Sequence, residues 1–287
     1  MSFSGTITAL VTPFKEGKLN EQGLRENIWF QIEEGIEALL VLGTTGEGAA
    51  LNPDEQKRVI QIAVEEKKVP VIVNAGDLST DRTIEKVKEA EKMGADGLLI
   101  IAPYYNRPSP EGLALHFEAV ARETTLPIIL YNHPKRTGVE LSLDLLVRLS
   151  KKKNIIGIKD ASGSIPFAAS IRHVLPDFLL FAGDDLISLP LLSIGAKGLI
   201  SVLSNLMPHK VGQMVRNLDR TLYEELLPFM EMAQIETNPV PIKAMMELAK
   251  LSAGKPRLPL TSLTPDNQYR LKELLLNSPL IPQAVYE

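Results

Sequence analysis

The run Ile155-Ile156-Gly157-Ile158-Lys159-Asp160 sets an amine at the end of an apolar segment. Such a segment reads as a buried strand, and a buried strand seldom closes on a free ammonium without a chemical use for it. Desolvation weakens a lysine's hold on its proton, and the neutral amine is the form that attacks a carbonyl carbon to make a Schiff base. Lys159 is therefore the candidate nucleophile, although a strand-end lysine that simply emerges into solvent carries the same pattern. In Gly43-Thr44-Thr45-Gly46-Glu47, glycines let backbone N–H groups approach an anion and two hydroxyls add donors. That suits a carboxylate, while an ordinary strand-to-helix turn capped by threonine has the same residues. Tyr104, Tyr105 and Tyr131 stand after apolar runs, where a phenol can relay protons or simply pack with a wet hydroxyl. Arg136 can fork onto a substrate carboxylate or stay solvated in its loop.

Metal chemistry finds little support. Asp184-Asp185 has no second acidic cluster or His-x-His pair beside it, so the two carboxylates are expected to start a helix. His116, His133, His173 and His209 show no ligand spacing, and three of the four are expected at the surface of helices or loops.

Eight apolar runs rich in β-branched residues could carry these groups, at residues 6–11, 38–42, 69–74, 97–102, 127–131, 155–158, 178–182 and 198–202. Amphipathic stretches such as 54–67, 81–92 and 112–123 alternate with them. The pattern predicts an α/β fold, a parallel (β/α)8 TIM barrel over residues 1–221, followed by a C-terminal helical domain over 222–287. Helical runs at 223–236 and 242–251 in that domain are separated by Asn238-Pro239-Val240-Pro241. An open doubly wound sheet would carry a glycine-rich loop after its first strand, where this chain has Val11-Thr12-Pro13-Phe14. In a barrel, chemistry belongs to the C-terminal strand ends, where the reactive residues above are found.

The 287 residues are 45% apolar, enough for one large core, and the net charge of −4 is dispersed, with no basic stripe for nucleic acid and no polybasic membrane anchor. The absence of cysteine excludes disulfides, thiol catalysis and thiolate metal sites. The first ten residues lack a leader pattern and no apolar run reaches the length of a membrane span, so a cytoplasmic location is the default expectation.

Taken together, Ala9-Leu10-Val11-Thr12-Pro13-Phe14, Gly43-Thr44-Thr45-Gly46-Glu47, Pro103-Tyr104-Tyr105-Asn106-Arg107-Pro108, Tyr131-Asn132-His133-Pro134-Lys135-Arg136-Thr137-Gly138 and Gly157-Ile158-Lys159-Asp160-Ala161 resemble, in order, the dihydrodipicolinate synthase family. The resemblance runs through Asn238-Pro239-Val240-Pro241-Ile242-Lys243 and so spans nearly the whole chain. The wider group of pyruvate-dependent aldolases, which includes N-acetylneuraminate lyase and the 2-keto-3-deoxy sugar acid aldolases, shares each motif singly. Thr44-Thr45 in place of the Ser-Thr more usual in the neuraminate enzymes, and the presence of Arg136, favour the synthases.

The resemblance implies that pyruvate forms an imine with Lys159, its carboxylate held at Thr44 and Thr45, and that the derived enamine attacks aspartate semialdehyde in the route to diaminopimelate and lysine. It implies Tyr131 as general acid and base, linked through Thr44 to a Tyr105 that crosses from a neighbouring subunit, with Arg136 on the second carboxylate. Gly183 and Ile200 match positions near the imine used through backbone atoms. No cofactor and no metal are implied, since the protonated imine is the electron sink, and the family's usual assembly is a homotetramer made of two tight dimers. A pyruvate-dependent aldolase of sugar acids is the alternative activity. A non-catalytic binding barrel would be expected to lack Lys159, Tyr131 or Thr45. His133 departs from the aliphatic residue usual in the family and, two positions after Tyr131, should face the same side. Positions aligned with the family's lysine-inhibition site read Gly48, Pro53, Gln56, Leu78 and Arg82, with Tyr104 beside them, which implies weak or absent feedback by lysine.

Overall fold

The computed structural model describes residues 3–278. Its centre is a closed barrel of eight parallel strands: β1 (Gly5–Ala9), β2 (Ala38–Val41), β3 (Val71–Asn74), β4 (Gly97–Ile101), β5 (Ile128–Asn132), β6 (Ile155–Asp160), β7 (Leu179–Ala182) and β8 (Gly198–Ser201), with β8 returning to pair with β1. All eight expected runs are strands. The sixth extends beyond its expected end, so that Lys159 and Asp160 belong to the ladder itself.

Period-two alternation divides the apolar residues into two layers. Ile7, Leu40, Ile72, Leu99, Ile129 and Phe181 fill the barrel interior. Leu39, Val73, Leu130, Ile158 and Leu180 face outward and pack on the surrounding helices. The helix starts follow from local chemistry. Asn52 caps Pro53–Glu66 and Glu55 returns a bond to the Asn52 N–H, while Ser109, Ser142 and Ser164 cap Pro110–Arg122, Leu143–Leu149 and Ile165–Val174. Gly157 is required where β6 meets β7, because a Cβ there would lie 2.4 Å from the Leu179 carbonyl oxygen.

A short antiparallel pair, Phe14–Lys15 with Lys18–Leu19, follows β1 and was not expected. Its turn residues Glu16 and Gly17 both have positive φ, 52° and 76°, the geometry a two-residue hairpin prefers, but glutamate seldom signals it. His116 is also unlike its expectation. It lies buried on the inner face of Pro110–Arg122, its Nδ1 3.0 Å from Thr80 Oγ1, and only His173 and His209 are exposed.

Beyond the barrel, Asp219 caps the helix Arg220–Met232, which is followed by Val240–Leu248 and Pro265–Leu276. Residues 279–287, the end of the expected helical domain, lie outside the described residues. This region is fastened to the barrel by a buried ion pair: Lys243 Nζ donates to Glu47 Oε1 at 2.5 Å, and Glu47 Oε2 accepts from the Arg257 N–H at 2.8 Å. Lys243 Nζ also sits 4.1 Å from the centroid of the Phe14 ring, so the charge is compensated on two sides. Among the described residues no helix is long and apolar enough to cross a membrane.

Candidate active site

Tyr131 on β5 and Lys159 on β6 are paired directly in register, and both point into the barrel. Lys159 Nζ lies 4.4 Å from the centroid of the Tyr131 ring. Lys159 is only 6% exposed, and burial, assisted by the Arg136 cation, lowers its pKa from 10.5 to about 8 against the opposing pull of Asp185 and Asp184. Burial pushes the Tyr131 phenol above its ordinary value of 10, so the hydroxyl keeps its proton. Arg136 and a side-chain hydrogen bond with Thr44 act in the other direction. The result is an amine that is readily neutral beside a phenol that is readily protonated, the pair of states that carbonyl addition needs.

A cavity of about 230 Å³ opens above these groups, with Thr44, Thr45, Arg136 and Gly183 in its wall. Thr44 and Thr45 stand in the turn after β2, which closes through Gly48 N–H to Gly43 O at 3.2 Å and is braced by Thr12 Oγ1 donating to Gly46 O at 2.7 Å. Gly183 donates its N–H to Asp160 O at 2.8 Å, leaving its carbonyl as the backbone group that can face a ligand. A Cβ on Gly183 would lie 2.8 Å from the same Asp160 oxygen. Arg136 reaches the cavity from the short helix Pro134–Thr137.

Two expected site residues are not brought to this cavity. Ile200 is buried in the barrel interior below it. Tyr105 is 90% exposed, with φ 70°, on the loop after β4 and is not in the cavity wall of its own chain. Asp184 and Asp185 both start the short 3₁₀ helix Asp185–Ile187, as expected. Asp184 caps it through Leu186 N–H at 2.9 Å, and Asp185 is also buried and accepts from Ser201 Oγ at 2.5 Å and Val202 N–H at 2.9 Å, tying β7 to β8. Both line the cavity. His133 is there as well, its ring 5.7 Å from that of Tyr131, and burial together with Arg136 and Lys159 lowers its pKa to about 4, so it is neutral at ordinary pH.

Sequence reasoning missed Asn238. This residue lines the cavity from the C-terminal region and donates from Nδ2 to Thr45 Oγ1 at 2.9 Å. A second cavity of about 480 Å³ adjoins the first and shares Thr44, Tyr131, Arg136 and Asn238 with it.

Known proteins share this architecture over nearly the whole chain. A 4-hydroxy-tetrahydrodipicolinate synthase of Syntrophus aciditrophicus is 42% identical over 97% of this chain and 99% of its own length. The solved 4-hydroxy-tetrahydrodipicolinate synthase of Methylacidiphilum fumariolicum SolV superposes with a TM-score of 0.95 at 41% identity, covering 99% of this chain and 98% of that one. A dihydrodipicolinate synthase of Cyanidioschyzon merolae, solved with lysine bound, superposes with a TM-score of 0.93 at 34% identity, over 97% of this chain and 99% of that one. Residues 2–278 match the Dihydrodipicolinate synthetase family, and the chain belongs to that family.

Proposed function

We propose that the protein condenses pyruvate with L-aspartate 4-semialdehyde to give 4-hydroxy-tetrahydrodipicolinate. The observation that carries this reading is the desolvated amine of Lys159 set 4.4 Å from the ring of a protonated Tyr131, with Thr44 in the wall of the same cavity. The neutral amine adds to the keto carbon of pyruvate and expels water as the imine forms. Loss of a methyl proton gives the enamine, whose carbon attacks the aldehyde, and the new alkoxide takes up a proton. Tyr131 is the group placed to carry these protons. The amine of the second substrate then adds to the imine carbon and displaces Lys159 as the ring closes. Thr44 and Thr45 hold the pyruvate carboxylate, Arg136 holds that of the aldehyde, and Gly183 contributes its carbonyl. The chemistry calls for no cofactor or metal, because the protonated imine withdraws the electrons. Supplying pyruvate with aspartate semialdehyde, and separately supplying N-acetylneuraminate or a 2-keto-3-deoxy sugar acid, tests the assignment. Formation of the cyclic product only in the first case is expected, and cleavage of a sugar acid with no condensation would replace the reading.

Tyr105 belongs to the same proposal through a second copy of the chain. An aromatic residue 90% exposed and held at φ 70° is unfavourable in an isolated chain, and both costs are offset if its ring packs into a neighbour. We infer a tight dimer in which Tyr105 reaches the partner's Thr44 and Tyr131, with two such dimers forming a tetramer. Mixing inactive Tyr105→Phe protein with inactive Lys159→Ala protein should restore measurable turnover once mixed dimers form. Proven mixed dimers with no activity would remove Tyr105 from the mechanism.

Regulation by lysine is expected to be weak or absent. Gln56 spends its amide on Gly48 O at 2.8 Å and Leu51 O at 3.1 Å, and Leu78 has no polar side-chain group to offer a ligand. Arg82 adds a cation where an ammonium would have to bind. Initial rates should be nearly flat up to millimolar lysine, and sub-millimolar half-inhibition lost on changing Tyr104 would contradict this.

A further inference from the structure

Asn238 stands between the helices Arg220–Met232 and Val240–Leu248 and touches both groups assigned to carboxylates. Its side-chain Nδ2 donates to Thr45 Oγ1 at 2.9 Å, and its backbone carbonyl accepts from Arg136 Nη2 at 3.5 Å. The Asn238 Oδ1 atom is buried with no hydrogen-bond partner. The bond from Nδ2 to Thr45 is thus the hydrogen bond that the Asn238 side chain makes among the described residues.

Thr45 is itself buried, in the cavity wall. A hydroxyl has one proton, and an oxygen that accepts from Asn238 must direct that proton elsewhere. Among the described residues no protein acceptor takes it. We propose that Asn238 is a positioning residue that fixes the polarity of the Thr45 hydroxyl, aiming its proton into the cavity at the carboxylate of the bound keto acid. The C-terminal region thereby sets the pyruvate affinity of a site whose reacting groups all lie on the barrel. This rests on the reading that pyruvate binds at Thr44 and Thr45.

Steady-state kinetics of the full chain test it. Asn238→Asp replaces the donor by a group that can only accept, so Thr45 would turn its proton away from pyruvate, and the added carboxylate would repel the substrate. The KM for pyruvate should rise about tenfold or more, the loss expected for a hydrogen bond to a charged group. Asn238→Leu keeps the volume and only frees the hydroxyl, so its pyruvate KM should rise less, with kcat and the aldehyde KM within about twofold of wild type. Both proteins should still yield the borohydride-trapped pyruvate adduct when pyruvate is saturating. If Asn238→Asp does not fold, Asn238→Leu decides alone. A wild-type pyruvate KM in either folded variant overturns the inference, and so does an equal rise for both substrates, which a merely structural role would produce. Failure of the wild-type enzyme to trap pyruvate at all would instead overturn the functional reading.

Discussion

Lys159→Ala is expected to lose turnover by a factor on the order of 10⁵–10⁶, the scale on which removal of an essential nucleophile acts. The fold should survive, and the physical reason is a sign. The amine of Lys159 has its pKa lowered from 10.5 to about 8, so its burial opposes folding wherever the unfolded chain would carry the proton. That opposition, of about 3 kcal/mol, is complete below pH 8 and fades as pH rises toward 10.5. Alanine removes it at neutral pH and gives up the packing of the aliphatic stem, two effects of opposite direction. A thermal melt near that of wild type, with turnover gone, is the expected pair of results. The same shift predicts that the single-turnover rate of imine formation climbs with pH through about 8 and then levels. A climb that continues toward 10.5 would mean that the amine is not desolvated.

Tyr131→Phe should lower kcat by roughly 10²–10⁴, the usual contribution of a positioned proton-transfer group. Phenylalanine preserves the ring that lies 4.4 Å from Lys159 Nζ, so the change deletes the proton carrier and leaves the packing. Imine formation with pyruvate should still be detectable, only slower, because Lys159 remains. Rates within a few fold of wild type, measured with both substrates saturating, would assign the proton transfers to another group, with His133 next in line by its place in the cavity.

The legible parts of the molecule are those where a local pattern has a single physical cause. Eight strands could be counted because a barrel strand buried on both faces must be continuously apolar, as in Ile155 to Ile158. Lys159, Tyr131, Thr44, Thr45 and Arg136 stood out because they interrupt such runs at their C-terminal ends, and the structure gathers all five around one cavity. Asn238 could not be found that way, since 193 residues separate it from Thr45 and no periodicity links them. His116 was legible and overlooked: with Leu113, Phe117 and Val120 it lies on the apolar stripe of its helix, which already implied burial. Asp185 shows the limit of type-based reading, because a carboxylate after a strand can start a helix and pin the next strand at once, and only the first of these roles was legible before the Ser201 hydroxyl was seen. Tyr105 is described by one chain only as an exposed, left-handed residue, so its use depends on a surface that chain does not contain.

Borohydride reduction in the presence of pyruvate, followed by peptide mass spectrometry, tests the central claim most directly. A single pyruvate-derived mass on the peptide containing Lys159, absent from Lys159→Ala, is the predicted result. Modification of Lys243 or any other lysine in its place, or no adduct on a folded and active protein, would contradict the account.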